Sequence, residues 1–393
     1  MPGGVPRLEE LPDLEGQRVL LRADFNVPMR DGAITDDLRI TAALPTINWL
    51  RDHGAAVVMC SHLGRPKGTP DPQYSLAPVA TRLGELLDLT VELCPEVVGF
   101  TADSMQASLR AGDVMMLENL RFDPGETTND PGFCVSLTEP VDAYVNDAFG
   151  ACHRAHASVV GPPVVLPSAA GRLLEREVEV LSGMLESPKH PFVAILGGSK
   201  VSDKLGVIEA LLERCDTILV GGAMAFTFFA AQGHSIGDSL LEPERIEDCK
   251  RLLDTGRVRI PVDVVIAEEM SESAPTRIVG ATRIPDGWKG LDIGPETAAI
   301  FSDEIAEARM VLWNGPMGVF EMTPFASGTR AVAQAVADCS GFTIIGGGDS
   351  AAAARQFGLA GEIDHVSTGG GASLELIEHG DLPGLEALRK GIR

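Results

Sequence analysis

Phe192-Val193-Ala194-Ile195-Leu196-Gly197-Gly198-Ser199-Lys200 is a run of five apolar residues that ends on two glycines. A run so short and so apolar reads as a strand buried on both faces, and the glycines as the turn by which the chain leaves it. Comparable runs lie at Arg18 to Leu21, Ala55 to Cys60, Val114 to Leu117, Thr217 to Val220, Met310 to Trp313 and Phe342 to Ile345, with helix-like stretches between them. This alternation predicts an α/β protein whose parallel sheets are covered by helices on both faces. No repeat of 20 to 50 residues and no low-complexity tract breaks the pattern.

The 393 residues make two or three domains the expectation, at about 100 to 200 residues each. A boundary is expected between Gly161 and Pro191. There Gly161-Pro162-Pro163 and Pro167 interrupt structure, and Arg172 to Leu185 then reads as one charged amphipathic helix, a candidate connector. The formal net charge is −24, which repels nucleic acid and anionic lipid, so any bound anion needs a local cluster of positive charge. The seven cysteines are odd in number, scattered and without a CxxC pair, arguing against a disulfide framework or a zinc site. The N-terminus lacks a basic stretch followed by an apolar one, and no run approaches the ~18 apolar residues of a membrane span. A cytoplasmic location is expected.

In open parallel sheets, ligands bind beyond the carboxyl ends of the strands. In the first half those positions are basic: Arg22-Ala23-Asp24-Phe25-Asn26, Ser61-His62-Leu63-Gly64-Arg65-Pro66 and Glu118-Asn119-Leu120-Arg121-Phe122 follow three of the runs. The segment Asn146 to His156 adds His153, Arg154 and His156. Repeated Arg and His in an acidic chain point to a small polyanion, because guanidinium recognises carboxylate and phosphate in bidentate fashion. Asp24 and Asn26 could bond a ligand hydroxyl, or simply build a turn.

The second half places glycine clusters after strands: Gly197-Gly198, Gly346-Gly347-Gly348 and Gly369-Gly370-Gly371. Glycine lets the backbone approach a phosphate, whose charge the exposed N–H groups and helix dipole then favour. Lys200 and Lys204 are four apart and are expected on one face in the first turns of a helix, poised on an anion. Asp349 reads as an N-cap or first-turn acid of the helix Ser350 to Gln356, and beside nucleotide phosphates it could also contact Mg²⁺. There is no G-x-x-x-x-G-K-[ST] and no G-x-G-x-x-G after a strand, which excludes a P-loop enzyme and weakens a dinucleotide-binding one.

These segments resemble phosphoglycerate kinases in identity, order and spacing, together with Val27-Pro28, Asp147 to Ser158, Trp313 to Glu321 and Ser367 to Glu375. The resemblance implies two doubly wound, Rossmann-like domains joined by a helix and hinge. Residues 1–170 would take 3-phosphoglycerate, 171–187 connect, 188–376 take ATP or ADP with Mg²⁺, and 377–393 return to the first domain. It implies acid-substrate contacts from Asp24, Asn26, Arg39, His62, Arg65, Arg121 and Arg154. Nucleotide contacts would come from Lys204, Gly294, Glu321, Gly347, Gly348, Asp349 and Ser350, with Glu321 on the ribose, Gly294 on the adenine side and Asp349 on the metal. Arg39 and Lys200 would serve the transferring phosphoryl. Ala23, Ser199, Ser202 and Ser350 depart from the commoner residues without removing a charge or donor. A monomer with small-molecule substrates, and neither nucleic-acid nor membrane partners, is expected. The competing readings are a nicotinamide-dependent dehydrogenase of a small acid, which lacks its fingerprint here, and a non-catalytic two-domain anion binder, which would not need paired lysines and a second set of phosphate cradles.

Overall fold

Ala56–Cys60, Phe192–Leu196 and Met310–Asn314 are buried at every position. That is why these runs are continuously apolar rather than alternating: both faces of their sheets carry helices. The computed structural model describes residues 4–392, which fall into two units, 4–180 with 379–392, and 181–378.

The first unit holds six parallel strands, β1 (Arg18–Ala23), β2 (Ala56–Cys60), β3 (Glu92–Leu93), β4 (Val114–Met116), β5 (Ala143–Asp147) and β6 (Ser168–Ala170), in the order β3-β4-β2-β1-β5-β6. The chain builds outward from β1 on one side and later places β5 on the other, which makes a topological switch between β1 and β5. Register lines up the carboxyl ends, with Arg22 opposite both Cys60 and Asn146, and Met59 opposite Met116. Ser61 stitches two of the emerging loops: its hydroxyl donates to Ala23 O at 2.7 Å and accepts from Phe25 N at 2.8 Å. Asn119 fastens a third by donating to Leu63 O and Tyr74 O.

The helix Arg172–Glu186 starts in this unit and ends in the second. Asp147 at the end of β5 caps it, accepting from Leu173 N at 2.9 Å and Leu174 N at 3.1 Å, while the Thr46 hydroxyl accepts from Arg172 N. The last helix, Pro383–Lys390, belongs to the first unit, where Gly384 N donates to Cys152 O.

In the second unit the strands are β7 (Phe192–Leu196), β8 (Thr217–Val220), β9 (Val258–Arg259), β10 (Asp263–Ala267), β11 (Arg277–Gly280), β12 (Lys289–Ile293), β13 (Met310–Asn314), β14 (Phe342–Ile345) and β15 (His365–Val366). Six form a parallel sheet in the order β9-β8-β7-β13-β14-β15, with the switch between β7 and β13. The other three form an antiparallel sheet, β11-β10-β12, which the sequence pattern does not announce. The described residues contain no helix long and apolar enough to cross a membrane.

Candidate active site

At the carboxyl edge of the first sheet, Arg22 is wholly buried. Its Nε donates to Ser158 Oγ at 3.0 Å, its Nη2 meets His62 Nδ1 at 3.0 Å, and its Nη1 donates to Ala23 O. Asp24, nearly buried, is paired with Arg39 from the first turn of the helix Leu38–Asp52. Burial pushes the Asp24 carboxyl up, but Arg39, His62 and Arg22 outweigh it and bring it to about 2. Burial takes His62 down to about 3, with Asp24 opposing and Arg22 and Arg121 assisting. A ring so lowered is neutral at neutral pH, so the charge that holds Asp24 ionised belongs to the two guanidiniums.

Arg121 donates through Nη1 to Gly64 O at 2.7 Å, and its buried Nε has no partner in the protein. Asn26 accepts from Gly64 N at 2.9 Å. Arg65 and Arg154 are exposed and make no ion pair among the described residues. Arg22 at the end of β1, Arg39 in the first turn of a helix, and Arg65, Arg121 and Arg154 on segments that follow strands give this edge five guanidiniums, with Asp24, Glu118 and Glu126 among its carboxylates. In so acidic a chain such a cluster is a candidate anion site.

On the second unit, three loops leave the same sheet edge after Leu196, Asn314 and Ile345. A Cβ at Gly197 would lie 2.0 Å from Pro316 O, so the loops after β7 and β13 touch backbone to backbone and only glycine fits. Asn314 ties them together: its Nδ2 donates to Gly346 O at 2.6 Å, and its backbone and side-chain oxygens both accept from Lys204 Nζ, the backbone one at 2.8 Å. The Ser350 hydroxyl accepts from Gly315 N at 2.5 Å. Burial lowers the Lys204 ammonium to about 8 against the opposing charges of Asp349 and Asp203.

Beside these loops opens a cavity of about 470 Å³. Phe226, Leu291, Met317 and Val319 make its apolar wall, Gly198 and Asp349 its glycine-loop end, and exposed Glu321 lies on its lining. An apolar slot ending at a glycine turn and a carboxylate suits a flat base joined to phosphates.

The description "Phosphoglycerate kinase" belongs to the family model that matches residues 8–380. The chain is a member of the phosphoglycerate kinase family. The phosphoglycerate kinase of Rubrobacter xylanophilus is 54% identical over 378 residues, 96% of each chain. The solved phosphoglycerate kinase of Coxiella burnetii aligns with a TM-score of 0.87 at 40% identity, covering 98% of this chain and 99% of that one. That of Pyrococcus horikoshii OT3 aligns with a TM-score of 0.86 at 35% identity over 98% of each. The activity is that of a glycolytic phosphotransferase with a carboxyl group as acceptor, acting on small molecules and a nucleotide.

One sequence expectation needs correction. Lys200 and Lys204 do not share a helical face, because the helix begins only at Leu205. Glu242 takes the N–H groups of Val201 and Ser202 at 2.5 and 3.1 Å, together with the Ser202 hydroxyl, and Lys204 N closes a turn on Val201 O. Those donors are thereby spent outside a helix. Lys204 runs inward to Asn314, and Lys200 stays exposed.

Gly294 directly follows β12, next to Ile293 on the cavity lining, with its N–H on Asp263 O at 2.9 Å and room for no Cβ beside the Asp263 carboxylate. Gly290, within β12, also lines the cavity, lacking a Cβ that would strike the Phe226 ring at 2.0 Å. Gly347 is the N-cap of the helix Gly348–Gln356, whose first turn holds Gly348, Asp349 and Ser350. The reading from sequence assigned Arg22 no role of its own and missed Glu126 and Asp292. The last is a buried cavity-wall carboxylate that burial raises to about 7 despite accepting from Gly328 N and Ile293 N.

Proposed function

We propose that the first unit binds 3-phosphoglycerate or 1,3-bisphosphoglycerate at the guanidinium cluster, and that the second binds ADP or ATP with Mg²⁺. The phosphoryl then passes directly, in line, when the connector at 171–187 swings the units together. The observation that carries this reading is the cluster itself: Arg65 and Arg154, exposed and without ion pairs among the described residues, on segments that follow the strands flanking buried Arg22, in a chain of net charge −24. Arg65, Arg121 and Arg154 hold the phosphate and carboxylate, His62 donates to the acid, and Asp24 with Asn26 bonds its hydroxyl. The base lies in the apolar slot, Glu321 takes the ribose hydroxyls, and Lys204 with the turn Gly347, Gly348, Asp349 and Ser350 takes the phosphates.

Arg39 and Lys200 come onto the transferring phosphoryl only after closure. There they stabilise charge that spreads over its oxygens, with no covalent intermediate. Among the described residues no three acidic, His or Cys side chains gather to hold a metal alone, yet exposed Asp349 fits Mg²⁺, which takes one or two carboxylates and completes its shell with phosphate oxygens and water. When bound there, the ion neutralises phosphate charge. Seven free thiols support a reducing compartment, the cytoplasm.

The test is a coupled assay with 3-phosphoglycerate and Mg-ATP, in which the acyl phosphate is reduced by an NADH-dependent enzyme. Oxidation of NADH requiring both substrates is expected. No signal, with the coupling enzyme proven active, overturns the assignment.

A further inference from the structure

Four polar side chains buried at the edge of the first sheet form a single hydrogen-bonded file. Glu126 is wholly buried and accepts from Ser158 Oγ at 2.7 Å and from Ser158 N at 2.9 Å. The same Ser158 oxygen accepts from Arg22 Nε at 3.0 Å, and Arg22 Nη2 meets His62 Nδ1 at 3.0 Å. Each link has only one possible direction. Guanidinium nitrogens donate and never accept, so His62 Nδ1 must present its lone pair and Ser158 Oγ must accept from Nε. The serine proton is then left for the carboxylate, which only accepts while ionised. Asp24 does not compete for His62 Nδ1, since its nearer oxygen is 4.0 Å away. The ring proton of neutral His62 is consequently on Nε2.

The geometry points to Glu126 and Ser158 as positioning residues that, through Arg22, fix His62 in the Nε2–H tautomer and so make it a hydrogen-bond donor to the bound acid. Glu126 touches no ligand in this scheme. Its charge stays ionised against the penalty of burial because His156, Arg22 and Ser158 surround it. Its work is to orient a guanidinium that would otherwise be a mobile cation, and that guanidinium selects the tautomer. A donor with no charge of its own suits this place, since the neighbouring arginines already supply the positive field. The donor role rests on reading the first unit as the acid-binding one; the tautomer does not.

The experiment follows that division. Long-range ¹H–¹⁵N correlation spectra of the full-length, ligand-free protein with ¹⁵N-labelled histidine, assigned with His62→Gln, report which ring nitrogen of His62 carries the proton at neutral pH. A protonated Nε2 with an unprotonated Nδ1 is expected; a proton on Nδ1, or on both nitrogens, overturns the proposal. Ser158→Ala and Glu126→Gln, with native-like circular dichroism, should turn the single His62 tautomer into a mixture. They should also raise KM for 3-phosphoglycerate on the order of 10-fold, with kcat and KM for ATP held within about twofold. Unchanged His62 signals in both folded variants overturn the proposal. A changed tautomer with an unchanged acid KM keeps the positioning file and overturns the acid-binding reading of the first unit.

Discussion

Arg39 and Lys200 belong to different units; Arg39 is paired with Asp24, and Lys200 is exposed. If both act on the phosphoryl in flight, their loss removes an interaction made only in the transition state. Arg39→Ala and Lys200→Ala should each lower kcat by on the order of 10² or more, while KM moves far less. Arg65→Ala should chiefly raise KM for the acid. Steady-state kinetics on folded variants separates these outcomes, and a near-normal kcat with weakened binding in Arg39→Ala refutes its transition-state role. Lys204 makes a second prediction. Its ammonium is lowered to about 8, so the free enzyme loses this phosphate-binding cation as pH rises through that value. KM for ATP should climb between about pH 7 and pH 9, and Lys204→Gln should bind ATP weakly but without that climb. A parallel climb in the variant would assign the titration to another group. None of this inward placement is visible in the spacing of Lys200 and Lys204, because the partner that turns Lys204 inward, Asn314, is 110 residues away.

At the scale of elements, the cap on Arg172–Glu186 shows how a strand end serves structure and site together. Asp147 ends β5, precedes the basic segment at Phe149 to His156, and accepts two N–H groups of the helix's first turn. Asp147→Ala strips those N–H groups of their acceptor and should cost about 1–2 kcal/mol in urea unfolding. Burial raises the Asp147 carboxyl to about 6, against the hydrogen bonds from Thr46, Leu174 and Leu173. The folded state therefore holds a proton that the unfolded chain gives up between about pH 4 and pH 6, and stability from this group declines as pH rises through that window. The cost of Asp147→Ala should accordingly be larger at about pH 4 than at about pH 7. A cost that grows with pH would contradict the raised carboxyl. The helix itself was legible, since its charged and apolar residues keep helical period over 172–185. Its cap was not, because Asp147 stands 26 residues from the first N–H it binds.

For the molecule as a whole, the two proposed anion sites lie on separate sheets, and the proposed direct transfer predicts that the units close on their substrates. Small-angle scattering with saturating 3-phosphoglycerate and a non-hydrolysable ATP analogue with Mg²⁺ should show a smaller radius of gyration than either ligand alone produces. An unchanged radius with both bound argues against closure on substrates. The primary sequence determined a good deal. The seven apolar runs became seven strands because a strand buried on both faces leaves a local mark, and the loops after them are the candidate ligand sites because that is where parallel sheets converge their strand ends. Arg65, His62, Arg121, Arg154 and Asp349 stand out as candidates for the same reason: each lies on a segment that follows a strand. Tertiary structure alone decided which atoms meet. It brought Gly290 onto the cavity wall, gave the Val201 and Ser202 N–H groups to Glu242, paired β10 with β11 and β12, and joined Glu126 to His62 through Ser158 and Arg22. Those outcomes depend on contacts between residues tens of positions apart, where neither periodicity nor spacing carries information, and only packing determines which donor finds which acceptor.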